Sequence, residues 1–186
     1  MLREFQEALR QAELARDNGS IAVILYNIGT TYNKMEEYDR ARDLLQQALV
    51  MEMGMDRPEK EAMCLMSIGN TYRSQGDRAR ALEHYSRAGS IFARIGDPIG
   101  AGLIAENTGG LYEQSDPRMA LRYYQEALRE YNTVHSGTDV AYILLSIGNT
   151  QQALGLFAQA DSSFRAGAAM ARTHSGAELV MDYEKH

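Results

Sequence analysis

The chain has 186 residues, 45% of them hydrophobic and 24% charged, and 19 basic against 25 acidic side chains give a formal net charge of −6. This composition predicts a globular chain and excludes collagen and disulfide-rich scaffolds, since there is one Cys and the 16 Gly follow no three-residue period. Nucleic-acid binding needs a basic face, whereas this chain is acidic overall. A membrane helix needs ~18 apolar residues in a run, and the sequence contains no such run. We therefore expect a cytoplasmic protein without a nucleic-acid or membrane partner.

In chain order, the predicted elements are helices, because apolar residues recur at intervals of three and four throughout. Residues 1–18 form one helix, since Phe5-Gln-Glu-Ala-Leu-Arg10 is nearly repeated by Tyr124-Gln-Glu-Ala-Leu-Arg129 in a later second helix. Four helix pairs follow. Their first helices are predicted at 20–34, 58–75, 98–113 and 138–153, and their second helices at 38–54, 78–95, 117–133 and 157–172.

Helix boundaries carry start and stop signals. Gly96-Asp97-Pro98 places a C-terminal Gly, a capping Asp and a Pro at the first helical position. Asp56-Arg57-Pro58 repeats part of that signal forty residues earlier, and Gln75-Gly76-Asp77 marks the turn inside a pair.

Four glycines lie on a fixed period. Gly29, Gly69, Gly109 and Gly148 follow one another at 40, 40 and 39 residues, which is typical of stacked repeats that each contribute one supersecondary unit. Gly in a helix interior costs about 0.8–1.0 kcal/mol relative to Ala. We expect close packing to offset this cost where each second helix approaches with its small residue, at Ala41, Ala81, Ala120 and Ala160.

The columns around these glycines resemble the tetratricopeptide repeat (TPR). The resemblance is carried by Leu65, Ile68-Gly69, Tyr72, Gly76, Ala81, Tyr85 and Ala88, and it covers nearly the whole chain. The repeat length of about forty residues resembles that of the extended TPR variant, which is found in spindle-orientation adaptors and in some bacterial peptide-sensing regulators. Departures are the missing Trp, Gln151 in place of the column Tyr, and a shortened third unit. The resemblance implies an all-α, right-handed α-solenoid of stacked antiparallel helix pairs.

The predicted organisation is a single TPR array over residues 1–186. It divides into 1–18 as the second helix of a partial repeat, repeats at 20–56, 58–96, 98–136 and 138–175, and 177–186 as the start of a further or capping helix. Solenoids close their ends with polar caps, which Phe5 and Leu9 at one end and Leu179 and Tyr183 at the other do not resemble. We expect either a segment of a longer array or self-association through uncapped ends.

The resemblance also implies that the first helices line a concave peptide-binding groove. Asn70 and Asn149 directly follow the column Gly, where similar repeats hydrogen-bond a peptide backbone, and an amide both donates and accepts. A basic clamp for a C-terminal carboxylate is rejected, because Tyr26, Met66, Glu106 and Leu145 fill its Lys position. The candidate groove residues are Tyr26, Asn33, Lys34, Met63, Met66, Asn70, Arg73, Glu106, Glu113, Tyr142, Leu145, Asn149 and Gln152.

Structural interpretations compete with the groove. Tyr26, Met63, Met66 and Tyr142 could equally pack between neighbouring first helices. Cys64 falls in an apolar column and is expected to be a buried hydrophobe rather than a nucleophile, and His84 has no acid or thiol in register. We expect no catalytic, metal or cofactor site.

Two functions follow from these patterns. The leading hypothesis is a non-enzymatic scaffold that binds a peptide or an amphipathic segment of a partner protein in the groove. The alternative is the peptide-sensing regulatory portion of a larger signalling protein. A third option, an assembly factor, has only the string Ile24-Leu-Tyr-Asn-Ile-Gly29, which is similar to one in a photosystem assembly family.

Overall fold

The computed structural model describes residues 2–174, and this part of the chain is built of nine helices with no strand. The helices are α1 (Leu2–Ala15), α2 (Asn18–Lys34), α3 (Tyr38–Gly54), α4 (Pro58–Ser74), α5 (Arg78–Ile95), α6 (Pro98–Tyr112), α7 (Pro117–Thr133), α8 (Gly137–Ala153) and α9 (Phe157–His174). The predicted helix at 177–186 lies outside the described residues.

The helices of the described part of the chain begin within about two residues of their predicted starts, and capping side chains account for the starts of α5, α6 and α7. The carboxylates of Asp77, Asp97 and Asp116 each accept a hydrogen bond from the backbone N–H three residues later, at 3.0 to 3.1 Å. Pro98 and Pro117 follow directly, where the missing N–H costs nothing.

A left-handed residue ends most of the helices. Backbone φ is positive at Arg16, Glu36, Asp56, Gly76, Gly96, His135 and Gly155, each in the turn after a helix. Glycine adopts this conformation without strain, whereas the four other residues carry a Cβ that disfavours it. A turn residue with positive φ, which we call a left-handed joint, therefore recurs at intervals of about half the repeat length, or a multiple of it, whether or not the residue is glycine.

The chain divides into two compact units, Met1–Gly96 and Asp97–His186. In unit 1, each of the helices α1 to α4 packs against the helix that follows it, and α2 also contacts α4. In unit 2, α6 packs on α7, α7 on α8 and α8 on α9. Both units are stacks of antiparallel helix pairs, so the predicted fold class of an α-solenoid is confirmed; the organisation as one continuous array remains a prediction.

The column glycines make room for large side chains. A Cβ at Gly69 would lie 2.6 Å from Cε1 of Tyr85, and one at Gly109 would lie 2.6 Å from Cε1 of Tyr124. Leu45 and Phe164 cover Gly29 and Gly148 in the same way. The expected contact was the small residue four positions earlier. Ala41 and Ala81 do approach with their carbonyl oxygens, but the larger side chain sits on the glycine.

Candidate functional site

The candidate groove residues on α2 lie at the surface of unit 1. Tyr26 is half-buried and its hydroxyl accepts a hydrogen bond from Ser67 Oγ on α4 at 3.0 Å, which ties the two first helices together. Asn33 is half-buried, and its Oδ1 atom is enclosed with no hydrogen-bond partner in the described part of the chain. Lys34, the last residue of the helix, is exposed.

The candidate residues on α4 share one helical face but differ in exposure. Met63 and Asn70 are half-buried and Arg73 is exposed. Met66 is only 9% exposed, because α4 lies against α2, α3 and α5, so it belongs to the core rather than to an outward-facing surface. We call the surface formed by Tyr26, Asn33, Lys34, Met63, Asn70 and Arg73 the α2/α4 face.

Asn70 is held by the second helix of its own pair. The Tyr85 hydroxyl donates to Asn70 Oδ1 at 2.5 Å, so the carbonyl side of the amide is engaged and its NH2 group still offers two donors. Burial raises the pKa of Tyr85 to about 12, so this hydroxyl remains a donor at neutral pH.

A pocket of about 190 Å³ opens between α2, α3 and α4. Its lining consists of Val23, Tyr26, Asn27, Glu52, Lys60, Met63 and Cys64. Tyr26 and Met63 are two of the candidate groove residues, so the structure brings part of the predicted set together around one cavity. Val23 stands at its rim with 46% of its surface exposed.

Glu52 and Cys64 are the buried reactive groups of this pocket. Glu52 is 3% exposed, and its Oε2 atom accepts no hydrogen bond from the described residues. Burial, followed by the negative charge of Glu52, raises the pKa of the Cys64 thiol to about 12. Cys64 is therefore a thiol at neutral pH, as expected of a buried hydrophobe and not of a nucleophile.

The candidate groove residues of α6 are tied to α7 in unit 2. Glu106 is half-buried and accepts a hydrogen bond from the Tyr131 hydroxyl at 2.8 Å. Glu113, which follows α6, accepts from the Tyr124 hydroxyl. Burial, reinforced by the Glu106 charge, raises the pKa of Tyr131 well above its usual value. Both carboxylates thus help to hold a helix pair together.

The candidate residues on α8 are more accessible. Tyr142 is 48% exposed, and Asn149 and Gln152 are exposed as well. Leu145 is half-buried and packs against the apolar cluster of Ala141, Ala160, Phe164 and Ala171. Gln151, which replaces the column Tyr, is 7% exposed and accepts a hydrogen bond from Ser163 Oγ at 2.7 Å.

Glu52 is absent from the residues predicted from sequence, although the repeat offers a signal for it. Counted from the column Gly, and allowing for the one-residue deletion in the third repeat, Glu52 occupies the position of Phe92, Tyr131 and Ala171. Those three residues are all buried. A carboxylate in an otherwise apolar, buried column is the irregularity that points to this site.

A second cluster in unit 1 surrounds Tyr72. The His84 ring stacks on Tyr72 with a centroid distance of 5.4 Å, and the guanidinium groups of Arg42 and Arg80 lie 4.8 and 5.2 Å from the Tyr72 centroid. These contacts connect α3, α4 and α5. Burial, assisted by Arg87, lowers the pKa of His84. This ring cluster accounts for His84 as a packing residue.

The repeated helix pairs, the glycine columns and the aromatic residues that cover them define a TPR-like helical-repeat protein. The family model for soluble NSF attachment protein, SNAP, matches residues 3–98, slightly more than half of the chain and nearly all of unit 1. The chain belongs to this family. No helix in the described residues has the length and apolarity that a membrane crossing requires.

Known proteins with other names are similar to the chain in sequence or in fold. The 43 kDa receptor-associated protein of the synapse of Tetronarce californica is 26% identical over 117 residues, which cover 57% of this chain and 28% of that protein. Aspartyl phosphate phosphatase F of Bacillus subtilis has a similar structure, with a TM-score of 0.90 at 16% identity over 98% of this chain and 48% of that one.

A third similar structure is the Rap conjugation gene regulator of the plasmid pLS20 in complex with the Phr* peptide. Its TM-score is 0.74 at 15% identity, over 95% of this chain and 55% of that one. The chain spans about a quarter of the curated relative and about half of each of these structures. At such low identity, the structural likeness shows the fold.

Proposed function

We propose that the chain is a non-enzymatic interaction module whose α2/α4 face binds a peptide or an amphipathic segment of a partner protein. The observation that carries the proposal is the pocket of about 190 Å³ between α2, α3 and α4, because two residues of the face, Tyr26 and Met63, line it. Apolar walls with a few polar groups suit the anchoring of a partner side chain.

Polar groups elsewhere on the α2/α4 face supply directional contacts. The Asn70 NH2 group can donate to a peptide carbonyl, and the enclosed Asn33 Oδ1 atom can accept from a peptide N–H after a small side-chain rotation. Arg73 and Lys34 add exposed positive charge, which favours an acidic flank on the partner. The exposed Tyr142, Asn149 and Gln152 on α8 offer a comparable surface in unit 2.

The non-enzymatic part of the proposal has two supports. The Cys64 thiol is buried, with its pKa raised to about 12, and His84 is stacked in a structural ring cluster. One structural neighbour is named a phosphatase, but at 16% identity the likeness concerns the fold and carries no activity to this chain. A cytoplasmic location belongs to the same proposal.

A peptide-sensing regulatory role is the second candidate, favoured by the likeness to a Rap regulator bound to its Phr* peptide. The two roles differ in what the peptide does to the solenoid. Small-angle X-ray scattering of the chain with and without a bound peptide separates them: a changed radius of gyration favours sensing, and an unchanged one favours a rigid scaffold.

The proposal is tested with peptides selected by phage display against the folded 186-residue chain. Fluorescence anisotropy then measures the Kd of an enriched peptide for the wild type and for Asn70→Ala. We expect about a threefold to tenfold loss of affinity, since one hydrogen bond to the peptide is removed.

The matched control replaces an amide outside the first helices, Gln47→Ala on α3, which is exposed. It should bind like the wild type. Equal affinities for all three proteins, with thermal melts showing each one folded, would refute the α2/α4 face as the binding surface.

A further inference from the structure

We propose that the pocket around Glu52 is a subsite for a single basic side chain, Lys or Arg, of the bound partner segment. The proposal rests on the proposed function for the origin of that side chain, although the subsite itself is defined by unit 1 alone. The chemical class of the occupant follows from the size of the pocket, from the burial and hydrogen bonding of the Glu52 carboxylate, and from the lining residues.

The pocket has the size of one side chain. Pockets for drug-sized ligands measure about 300–1,000 Å³, and a cavity of about 150 Å³ holds a benzene-sized group. At about 190 Å³, this pocket has room for an extended aliphatic side chain and its polar head.

Glu52 supplies an incompletely compensated charge. The nearest atom of its ion-pair partner, Arg57 Nη1, lies 3.8 Å from Oε2, which is too long for a hydrogen bond. The Arg57 side chain is 48% exposed, so water screens this pair, while the carboxylate is 3% exposed. A buried carboxylate oxygen without a hydrogen-bond donor is costly, and a cationic donor that enters the pocket would lower this cost.

Packing does not explain the carboxylate. The equivalent positions of the other repeats hold Phe92, Tyr131 and Ala171, which are buried apolar or aromatic residues. The Tyr131 ring lies on Gly102 and its hydroxyl reaches Glu106, the residue at the repeat position of Tyr26. Where Tyr131 fills its own repeat, the shorter Glu52 leaves an open volume and places a negative charge there.

The walls suit the stem of a basic side chain. Val23 and Met63 can cover methylene groups, and the Tyr26 ring can stack on a cation. Lys60, also in the lining, is an exposed residue that pairs with Glu59 at 3.7 Å, so its repulsion is partly neutralised and screened. An acidic ligand would instead have to approach the buried Glu52.

The first test uses small probes, so it does not depend on any peptide. Methionine methyl groups are labelled with ¹³C, and Met63 is assigned with Met63→Leu. N-acetyl-lysine methylamide and its arginine counterpart are titrated against N-acetyl-norleucine and N-acetyl-glutamate methylamides. We expect a basic probe to shift the Met63 methyl signal saturably, with an affinity at least about tenfold above the norleucine probe. The methyl of Met119 in unit 2 is the internal control.

Two variants of Glu52 separate charge from shape. Glu52→Gln keeps the volume and should abolish the preference for basic probes, whereas Glu52→Phe should fill the pocket and abolish all probe binding at Met63. Equal affinity of the wild type for basic, neutral and acidic probes, or no saturable Met63 shift with either basic probe, would overturn the subsite without reference to a variant.

A peptide arm distinguishes this proposal from the proposed function. For a selected peptide, replacing its basic residue by norleucine should cost at least about tenfold in Kd on the wild type and less than about twofold on Glu52→Gln. If the peptide binds the α2/α4 face but neither change matters, the subsite is wrong and the proposed function stands. If no peptide binds while the lysine probe still titrates Met63, the subsite stands and the proposed function fails.

Discussion

Glu52 in unit 1 and Tyr131 in unit 2 occupy the same position of the repeat with opposite results. Tyr131 is fully buried, covers Gly102 and donates to Glu106 at 2.8 Å, so its pair has a closed aromatic core. Glu52 is nearly as buried, but it lines a pocket and its Oε2 atom lacks a donor among the described residues. At the same position of the repeat, a tyrosine therefore packs against the first helix of its pair, whereas a glutamate lines a pocket.

The largest expected effect comes from placing the unit 1 residue in unit 2. Tyr131→Glu should lower the free energy of unfolding by at least about 3–5 kcal/mol, because it leaves a cavity and buries a second carboxylate beside Glu106. Urea unfolding followed by circular dichroism measures the change. Asn132→Glu, at an exposed neighbouring position of α7, is the control and should stay within about 0.5 kcal/mol of the wild type. Similar losses in both variants would contradict the comparison.

The column glycines test what the two units have in common. Gly69→Ala and Gly109→Ala should each destabilise by about 1–3 kcal/mol, since the new Cβ would lie 2.6 Å from a buried tyrosine ring. Gly54→Ala, which has no neighbouring atom within 4 Å of its Cβ position, should instead stabilise by up to about 1 kcal/mol. Differential scanning calorimetry ranks the three variants. A stabilising Gly109→Ala would show that the ring contact is not tight.

A smaller effect separates the two kinds of tyrosine hydrogen bond. Tyr131→Phe removes a donor from a carboxylate and should cost about 1–2 kcal/mol, whereas Tyr85→Phe removes one from the Asn70 amide and should cost about 0.5–1 kcal/mol. A double-mutant cycle of Tyr131→Phe with Glu106→Ala measures the coupling, because each single variant removes the hydrogen bond. A coupling energy of zero would mean that Glu106 does not contribute through this bond.

The smallest effect concerns pH. Burial and the Arg87 charge lower the pKa of His84 in the folded chain, so the unfolded chain binds the proton more readily. The His84 contribution to stability should therefore be complete above about pH 6.5 and decrease as the pH falls below this value. Urea midpoints between about pH 5 and 8 should fall less steeply on the acid side for His84→Gln than for the wild type. Parallel curves would remove His84 as the cause.

Most of the framework could be predicted from the sequence because local chemistry encodes it. Asp97-Pro98 and Asp116-Pro117 fix helix starts through contacts three residues apart, and the apolar period assigns Cys64 to the core. The hydrogen bond from Tyr131 to Glu106 and the Glu52 pocket depend on where side chains from different helices meet. The apolar period of a helix predicts which face is buried, but it does not predict which side chains of other helices pack against that face. These two features could therefore be found only in the structure.

The candidate groove illustrates the same limit. Met63 and Tyr26 share a pocket, as a surface for a partner requires, whereas Met66 has become core and the Glu106 carboxylate holds Tyr131. Repeat position placed all four on first helices. Their separate roles follow from the side chains that meet them from other helices, Ser67 of α4 for Tyr26 and Tyr131 of α7 for Glu106, which the glycine columns alone do not specify.

The left-handed joints after the helices have a further consequence for how such a chain can be recombined. At Gly76 and Gly155, nothing lies within 4 Å of the position that a Cβ would take, and Arg16, Glu36, Asp56 and His135 meet the same backbone need with exposed side chains. These turn positions require a positive φ, and they place little restriction on the side chain. They are natural splice sites at which a helix pair bearing a chosen pocket could be exchanged as a cassette.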